Sequence, residues 1–420
     1  MQPSLFSNSE ITDLKEGFSL EEVFEAYFSC RSNKRNTINA LAFELDYESN
    51  LIQLWNELND GSYQLGKSIA FIVHKSVQRE IFAADFRDRV VHHLIINKLN
   101  SLFEKEFIQN SYACRIGKGT HLGIRSVNKF IRQCSQNYTM DCYVLKLDIE
   151  GFFMHINKKI LFTRLQKFIE VKYKQNDKDL VLEICRKIIF NSPTDNCIIK
   201  GRSKNWDGLP KNKSLFQSPP NCGLPIGNLT SQIFANFYMN VFDHFIKKDL
   251  DIRYYGRYVD DFIIIHSNKE YLKALIPLIS NYLDNELELK LHPKKIYLQH
   301  HSKGVKFLGS VIKPNRIYIA NRTKGNFYHA IQYQNKIAKI RKPSKLDLDG
   351  FLSSMNSYLG LMAHYKTFNL RKRMVFLHLN AYWLNHVYLS NGISKFVLKR
   401  KIVKERFINS IHITNSHKLI

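Results

Sequence analysis

Arg253-Tyr-Tyr-Gly-Arg-Tyr-Val-Asp-Asp-Phe-Ile-Ile-Ile-His266 sets two adjacent aspartates, Asp260 and Asp261, between two apolar runs. The β-branched and aromatic content on either side predicts a tight hairpin of two strands with the carboxylates at its tip. Charge is out of place there, because like charges repel and the flanking residues are built for burial. A divalent cation would remove the conflict, although a lone Asp-Asp pair is also common in turns. A second apolar strand, Val144-Leu-Lys-Leu-Asp148, also ends in a carboxylate, and Phe153 follows five residues later. If both strands lie in one sheet, three carboxylates meet. Magnesium takes oxygen ligands and keeps positions open for water and phosphate, so a few carboxylates and a triphosphate complete its octahedron. Two such ions, Mg2+ or in its place Mn2+, would activate a 3′-hydroxyl and stabilise a leaving pyrophosphate. On this reading Asp148 and Asp260 are the direct metal ligands and Asp261 assists.

Outward from that centre, the capping box Ser19/Glu22 opens an amphipathic helix, and a second follows near Leu51, Leu54, Trp55 and Leu58. Ile69 to Val73 reads as a strand, the run through Val90, Val91, Leu94 and Ile95 as a helix, and Lys158 to Ile189 as a helix-rich stretch. A polar loop, Ser192 to Asn221, leads into a helix near Thr230, and strand-like alternation resumes from Val305 to Ile319. Beyond Asn321 the pattern is helical, with Leu352, Met355, Leu359 and Met362 on one face, and Lys395 to Arg406 is basic. This order predicts an α+β fold with an antiparallel sheet.

Lys and Arg number 62 against 37 Asp and Glu, a formal net charge of +25, which attracts polyanions and puts nucleic acid first among partners. The seven cysteines are odd in number and contain no C-x-x-C pair, which fits a reduced, cytoplasmic compartment. Neither a secretory leader nor a membrane-spanning run is expected, since Glu10 and Asp13 come early and the apolar stretches are short.

These motifs resemble those of reverse transcriptases from about Gly61 to Arg371. Asp148 with Phe153 matches the family's first palm motif, and Tyr258 to Asp261 matches its Tyr-x-Asp-Asp hallmark. The resemblance implies a right-hand polymerase: an N-terminal helical extension (1–60), fingers (61–140), a palm of antiparallel sheet and helices with a helical finger insertion (141–303), a primer-grip hairpin and helical thumb (304–390), and a basic tail (391–420). It implies that Phe153 blocks a ribose 2′-hydroxyl, that Lys75 and Arg79 grip the triphosphate, and that Lys295 protonates the pyrophosphate. Asp88 and Arg89 read equally well as a structural ion pair. The loop Ser111 to His121 departs from a Walker pattern and would lay Arg115 and Lys118 on the template backbone. Gly304 to Gly309, with Phe307, Leu308 and Gly309 at its end, looks like the primer grip, and Tyr358 to Tyr365 and Arg371 to Arg373 would lie near the duplex.

Gly223-Leu-Pro-Ile226-Gly227-Asn-Leu-Thr-Ser231-Gln232 gives the resemblance a finer grain. Gly227 lets backbone approach the nascent pair, and Ser231 and Gln232 offer polar groups to sugar or base edges. Many relatives have Gln-Gly and Ser-Pro where this chain has Ile226-Gly227 and Ser231-Gln232. The form found here resembles enzymes of diversity-generating retroelements, as do Lys213 to Phe216 and Ser111 to His121. It implies cDNA synthesis from an RNA template and a DNA or RNA primer with deoxynucleoside triphosphates. Errors would fall at template adenines, and the enzyme would work with a small basic accessory protein and a cognate structured RNA. Phage-defence and retron-like enzymes share the palm, a group II intron protein would differ at Ile226 and Gln232, and a silent RNA-binding scaffold would share the charge.

Overall fold

The computed structural model describes residues 17–32, 37–74 and 77–399, and the chain divides into two compact units, Met1–Gln299 and His300–Ile420. The expected triphosphate ligand Lys75 and most of the basic tail lie outside the described residues. No helix among the described residues is long and apolar enough to cross a membrane.

In the first unit, Ser19 and Glu22 cap the helix Leu20–Arg31 reciprocally, as their spacing predicts. The helices Leu20–Arg31 and Leu229–His244 pack on the 21-residue helix Phe86–Glu106, which buries Val90, Val91, Leu94, Ile95 and Leu99. The strands in chain order are β1 (Ile69–Val73), β2 (Arg79–Ala83), β3 (Tyr143–Asp148), β4 (Ile198–Ile199), β5 (Tyr254–Tyr258), β6 (Asp261–His266) and β7 (Tyr297–His300). They form one sheet in the order β2-β1-β4 and another in the order β5-β6-β3-β7. Pairing of β3 with β6 and of β5 with β6 is antiparallel, as expected. The loop Ser192 to Asn221 holds more order than its composition predicts, because β4 pairs with β1, and does so in parallel.

That loop is anchored by one carboxylate. Glu80 of β2 is buried and accepts hydrogen bonds from Trp206 Nε1 (2.7 Å), Ser214 Oγ (2.8 Å) and the Leu215 amide. A buried charge is tolerated when donors surround it in this way.

The second unit opens with an antiparallel meander, β8 (Val305–Phe307), β9 (Ser310–Lys313) and β10 (Arg316–Ile319). The helices Asn321–Ile340, Lys345–Ala363, Phe368–His378 and Ala381–His386 follow, then a hairpin of β11 (Val387–Leu389) and β12 (Phe396–Leu398) that periodicity did not foretell. Its core is its own: Phe327, Ile331, Phe351, Met355, Leu359, Met362 and Trp383 are buried, with Trp383 stacked on Phe351 at 4.4 Å.

Candidate active site

The register of β3 on β6 sets Asp148 opposite Asp261, and that of β5 on β6 sets Tyr258 opposite Asp261. Val259 and Asp260 are therefore a two-residue turn, the shortest way to close a hairpin. Residues directly opposed across a sheet share a face, as do residues two apart on one strand. Asp148, Asp261 and Lys146 thus meet on one face, and Lys146 Nζ reaches Asp261 Oδ2 diagonally at 3.0 Å. From the other side the short turn Pro293–Lys295 brings Lys295 Nζ to 2.7 Å from Asp148 Oδ1. The His292 amide donates to the Asp148 carbonyl (2.8 Å) and the Ile149 amide to the Asp260 carbonyl (3.3 Å), tying the three segments together.

Burial, reinforced by Asp148, pushes the Asp260 carboxyl up to about 6. Burial likewise lifts Asp261 to about 6, against the opposing pull of Lys146. Asp261 Oδ1 is buried without a hydrogen-bond partner. Two adjacent part-buried carboxyls, one carrying an orphaned oxygen, fit the oxygen donor set that a hard divalent cation takes. Among the described residues, however, no three acidic, histidine or cysteine donors already form a coordination sphere. The lysines instead hold one oxygen each of Asp148 and Asp261.

Around this centre, Arg79 is exposed at the start of β2, close enough to Asp260 to favour its anion. The half-buried Phe153 ring meets Phe152 edge-on at 5.3 Å, and its carbonyl accepts from the Leu224 amide at 2.8 Å. Phe153 and Ile226 pack against the same buried cluster of Ala70, Phe82, Met154 and Leu215. The Ile226 carbonyl accepts from the Phe82 amide (2.9 Å) and Asn228 Oδ1 from the Ala84 amide (3.1 Å), docking the motif on β2. Gly227 has φ +128, and a Cβ there would lie 2.9 Å from Ile81 Cγ2 and 3.1 Å from the Phe82 carbonyl oxygen. Gln232 is exposed and accepts from the Cys114 thiol at 3.1 Å.

The other candidate residues have local partners. Arg115, expected on template phosphates, is bound by Glu104 (2.8 Å) and by the Ile108 and Ser111 carbonyls. Lys118 of the same loop donates to the Gln109 carbonyl and side-chain oxygens. Asp88 and Arg89 do not pair: Asp88 accepts from Tyr63 Oη and the Gly66 amide, and Arg89 donates to the Ala84 carbonyl. Ser231 is buried. In the second unit the Phe307 ring is also buried, and Leu308 and Gly309 form the β8–β9 turn with φ 46 and 79. Arg371 is buried too and donates to the Gly392 and Ile393 carbonyls. Sequence reasoning missed Lys146, whose position two residues before Asp148 on an exposed-alternate face was the available signal. It also missed the pair of Arg257 and Asp243, both fully buried and joined at 2.6 Å.

Comparison with known proteins places the chain beside one family, two relatives and two solved structures. The family described as reverse transcriptase (RNA-dependent DNA polymerase) matches residues 74–312. Protein YkfC of Escherichia coli (strain K12) is 22% identical over 291 residues, covering 61% of this chain and 69% of that protein. Nuclear intron maturase 1, mitochondrial, of Arabidopsis thaliana is 20% identical, covering 57% of this chain and 42% of the maturase. Among solved structures, telomerase from Candida albicans aligns with a TM-score of 0.44 at 14% identity, over 75% of this chain and 57% of that one. Apo telomerase from Candida tropicalis aligns with a TM-score of 0.43 at 16% identity, over 64% of this chain and 60% of that one.

Proposed function

The chain belongs to the reverse transcriptase (RNA-dependent DNA polymerase) family, and from that premise we propose that it copies RNA into DNA by nucleotidyl transfer at Asp148, Asp260 and Asp261. The observation that carries this reading is the register that sets Asp148 opposite Asp261 and leaves Asp260 in the turn beside them. Asp148 and Asp260, with Asp261 assisting, would hold a pair of divalent ions, Mg2+ by the hardness of the donors, and bound there the pair would supply the charge that activates a primer 3′-hydroxyl and neutralises the leaving group. Arg79 pairs with the triphosphate, a task suited to its planar fork of donors. Lys295 gives an Nζ proton to the departing pyrophosphate, and its contact with Asp148 keeps that nitrogen at the reacting centre. The Phe153 ring occupies the space a ribose 2′-hydroxyl would need.

The finer role is mutagenic synthesis in a diversity-generating retroelement. Ile226 presents an apolar side chain where many relatives carry an amide, so no polar group of that residue tests the geometry of the nascent pair. Discrimination by apolar contact alone is weak compared with a site built to hydrogen-bond. The RNA template, primer, structured RNA and small basic accessory protein are the partners of this reading. Residues 61–140 serve as fingers, 141–303 as palm and 304–390 as primer grip and thumb.

The test is Mg2+-dependent incorporation of deoxynucleotides on a primed RNA template, with Asp260→Ala/Asp261→Ala as control and the products sequenced. Synthesis lost in the variant and misincorporation concentrated at template adenines support both levels. Accurate synthesis refutes the mutagenic role, and absence of synthesis even with accessory protein and native RNA refutes the polymerase.

A further inference from the structure

Beneath the turn that carries Asp260 lies a charged network with no part in binding substrate. Arg257 of β5 and Asp243 of the helix Leu229–His244 are both wholly buried. The guanidinium grips the carboxylate with two arms, Nε to Oδ1 at 2.7 Å and Nη2 to Oδ2 at 2.6 Å. Its remaining reach goes to three other residues: Nη1 donates to the Val259 carbonyl (2.9 Å) and to Asn236 Oδ1 (3.3 Å), and Nη2 to Ser111 Oγ (3.3 Å). Tyr255 completes the set by donating to Asp243 Oδ1 at 2.6 Å. The main chain of Arg257 is also held, its amide by the Asn110 carbonyl (2.9 Å) and its carbonyl by the Tyr112 amide (3.0 Å).

The contact to Val259 matters most. Val259 has φ 58, a left-handed conformation that is costly for a β-branched residue and persists only where its surroundings enforce it. That conformation aims the next residue, Asp260. The Val259 side chain packs against the core, but a two-residue turn between apolar strands closes more easily with Gly or Asn at that position, so a further restraint on its main chain is needed. A buried ion pair is a poor source of net stability but a strong source of fixed geometry, since its donors point in set directions.

We propose that Arg257, held by Asp243, is a positioning residue that locks the Val259 carbonyl and thereby fixes the Asp260 carboxylate for metal binding. This rests on the reading of Asp148, Asp260 and Asp261 as the carboxylates of nucleotidyl transfer. The same guanidinium ties the turn to Ser111, at the start of the loop Ser111 to His121, so the turn and the loop are braced from one point.

The test uses the full chain carrying Asp243→Asn/Arg257→Gln. This double variant neutralises both partners together, keeps an acceptor for Tyr255, and leaves a side chain too short to reach the Val259 carbonyl. Arg257→Lys is the conservative companion, retaining charge for Asp243 without the fork. Melting temperature reports the fold, electron paramagnetic resonance of free Mn2+ reports metal affinity, and primer extension across a Mg2+ titration reports activity. The expected result is a double variant that melts within a few degrees of wild type yet binds Mn2+ about tenfold more weakly and needs about tenfold more Mg2+ for half-maximal synthesis, with Arg257→Lys in between. A folded double variant with wild-type Mn2+ affinity and Mg2+ dependence overturns the positioning role alone. A wild-type chain that binds Mn2+ no better than Asp260→Ala/Asp261→Ala, and makes no DNA, overturns the underlying reading and this proposal with it.

Discussion

At the scale of single residues the site is decided by charges kept against their preference. Asp260 and Asp261 hold their carboxyls near pH 6 rather than at the ordinary 3.8, because burial penalises the anion. A carboxyl whose pKa rises on folding supports the fold while it is protonated. Its contribution is whole below the unfolded value, about pH 4, and is lost as pH climbs through 6. Each such shift is worth on the order of 2–3 kcal/mol at neutral pH. The metal-free protein is therefore expected to lose stability between pH 4 and 7 relative to Asp260→Asn/Asp261→Asn. Millimolar Mg2+ should restore it at pH 7.5 by binding the folded form alone. The comparison has to be a difference between the two chains, since Asp347, drawn down to about 2 by Arg341 and Ser344, slopes the opposite way at lower pH. Melting curves with and without Mg2+ check this, and a wild-type melt unmoved by Mg2+ at pH 7.5 counts against the carboxylates as ligands. Phe153 gives a second prediction. Its ring packs edge-on against Phe152 while the Leu224 amide holds its main-chain carbonyl, so shortening the side chain opens space without freeing the backbone. Phe153→Val should raise ribonucleotide incorporation by roughly 10–100-fold relative to deoxynucleotide, the range a single apolar contact commands. Paired single-nucleotide kinetics measure the ratio, and an unchanged ratio removes Phe153 from sugar selection.

Elements show where the sequence could be read and where it could not. β3 and the β5–β6 hairpin were legible because short apolar runs ended in acidic residues that burial alone does not explain, and their pairing followed from strand type and length. Glu80 was not, since in β2 it has the alternation of an ordinary half-exposed strand and its donors lie 126 to 135 residues away. Arg115 shows the same limit: basic residues in a glycine loop fit phosphate, but its ion pair with Glu104 on a preceding helix leaves no mark in the local sequence. Long-range partners of polar residues leave no periodicity behind. The segment Leu224 to Gln232 is the intermediate case: the sequence placed its glycine against the nascent pair, and the packing of that glycine on Ile81 and Phe82 of β2 was not legible. Gly227→Ala would force a Cβ against Ile81 and the Phe82 carbonyl at a φ that L residues avoid. The expected cost is about 1–3 kcal/mol in urea titration, accompanied by a higher KM for deoxynucleotides as Ile226 shifts. A KM unchanged in a destabilised variant would detach this segment from the nucleotide.

Over the whole molecule the excess charge is unevenly shared. Residues 300–420 hold 22 of the 62 Lys and Arg but only three of the 37 Asp and Glu, so the second unit carries most of the net +25. Its core is apolar and its own, and among its described cations Lys336, Lys339, Lys372 and Arg373 are exposed. A cation that meets a nucleic-acid phosphate releases a counterion, so each contact contributes roughly 0.7 to 0.9 to the slope of log affinity against log salt. A cation that only solvates the surface contributes nothing. Changing these four residues to Gln in the full chain should therefore lower the slope for a primed RNA template by about 3, if all four meet phosphate. The affinity lost should shrink as salt rises. Changing the exposed Lys159 and Lys167 of the helix Lys158–Lys172 in the first unit in the same way serves as the contrast, because that unit has nearly balanced charge. Filter binding over a range of KCl concentrations measures both slopes. Equal small changes in the two variants would mean that the basic second unit serves solubility, and that the field guiding the template is made by a few cations near Arg79 instead.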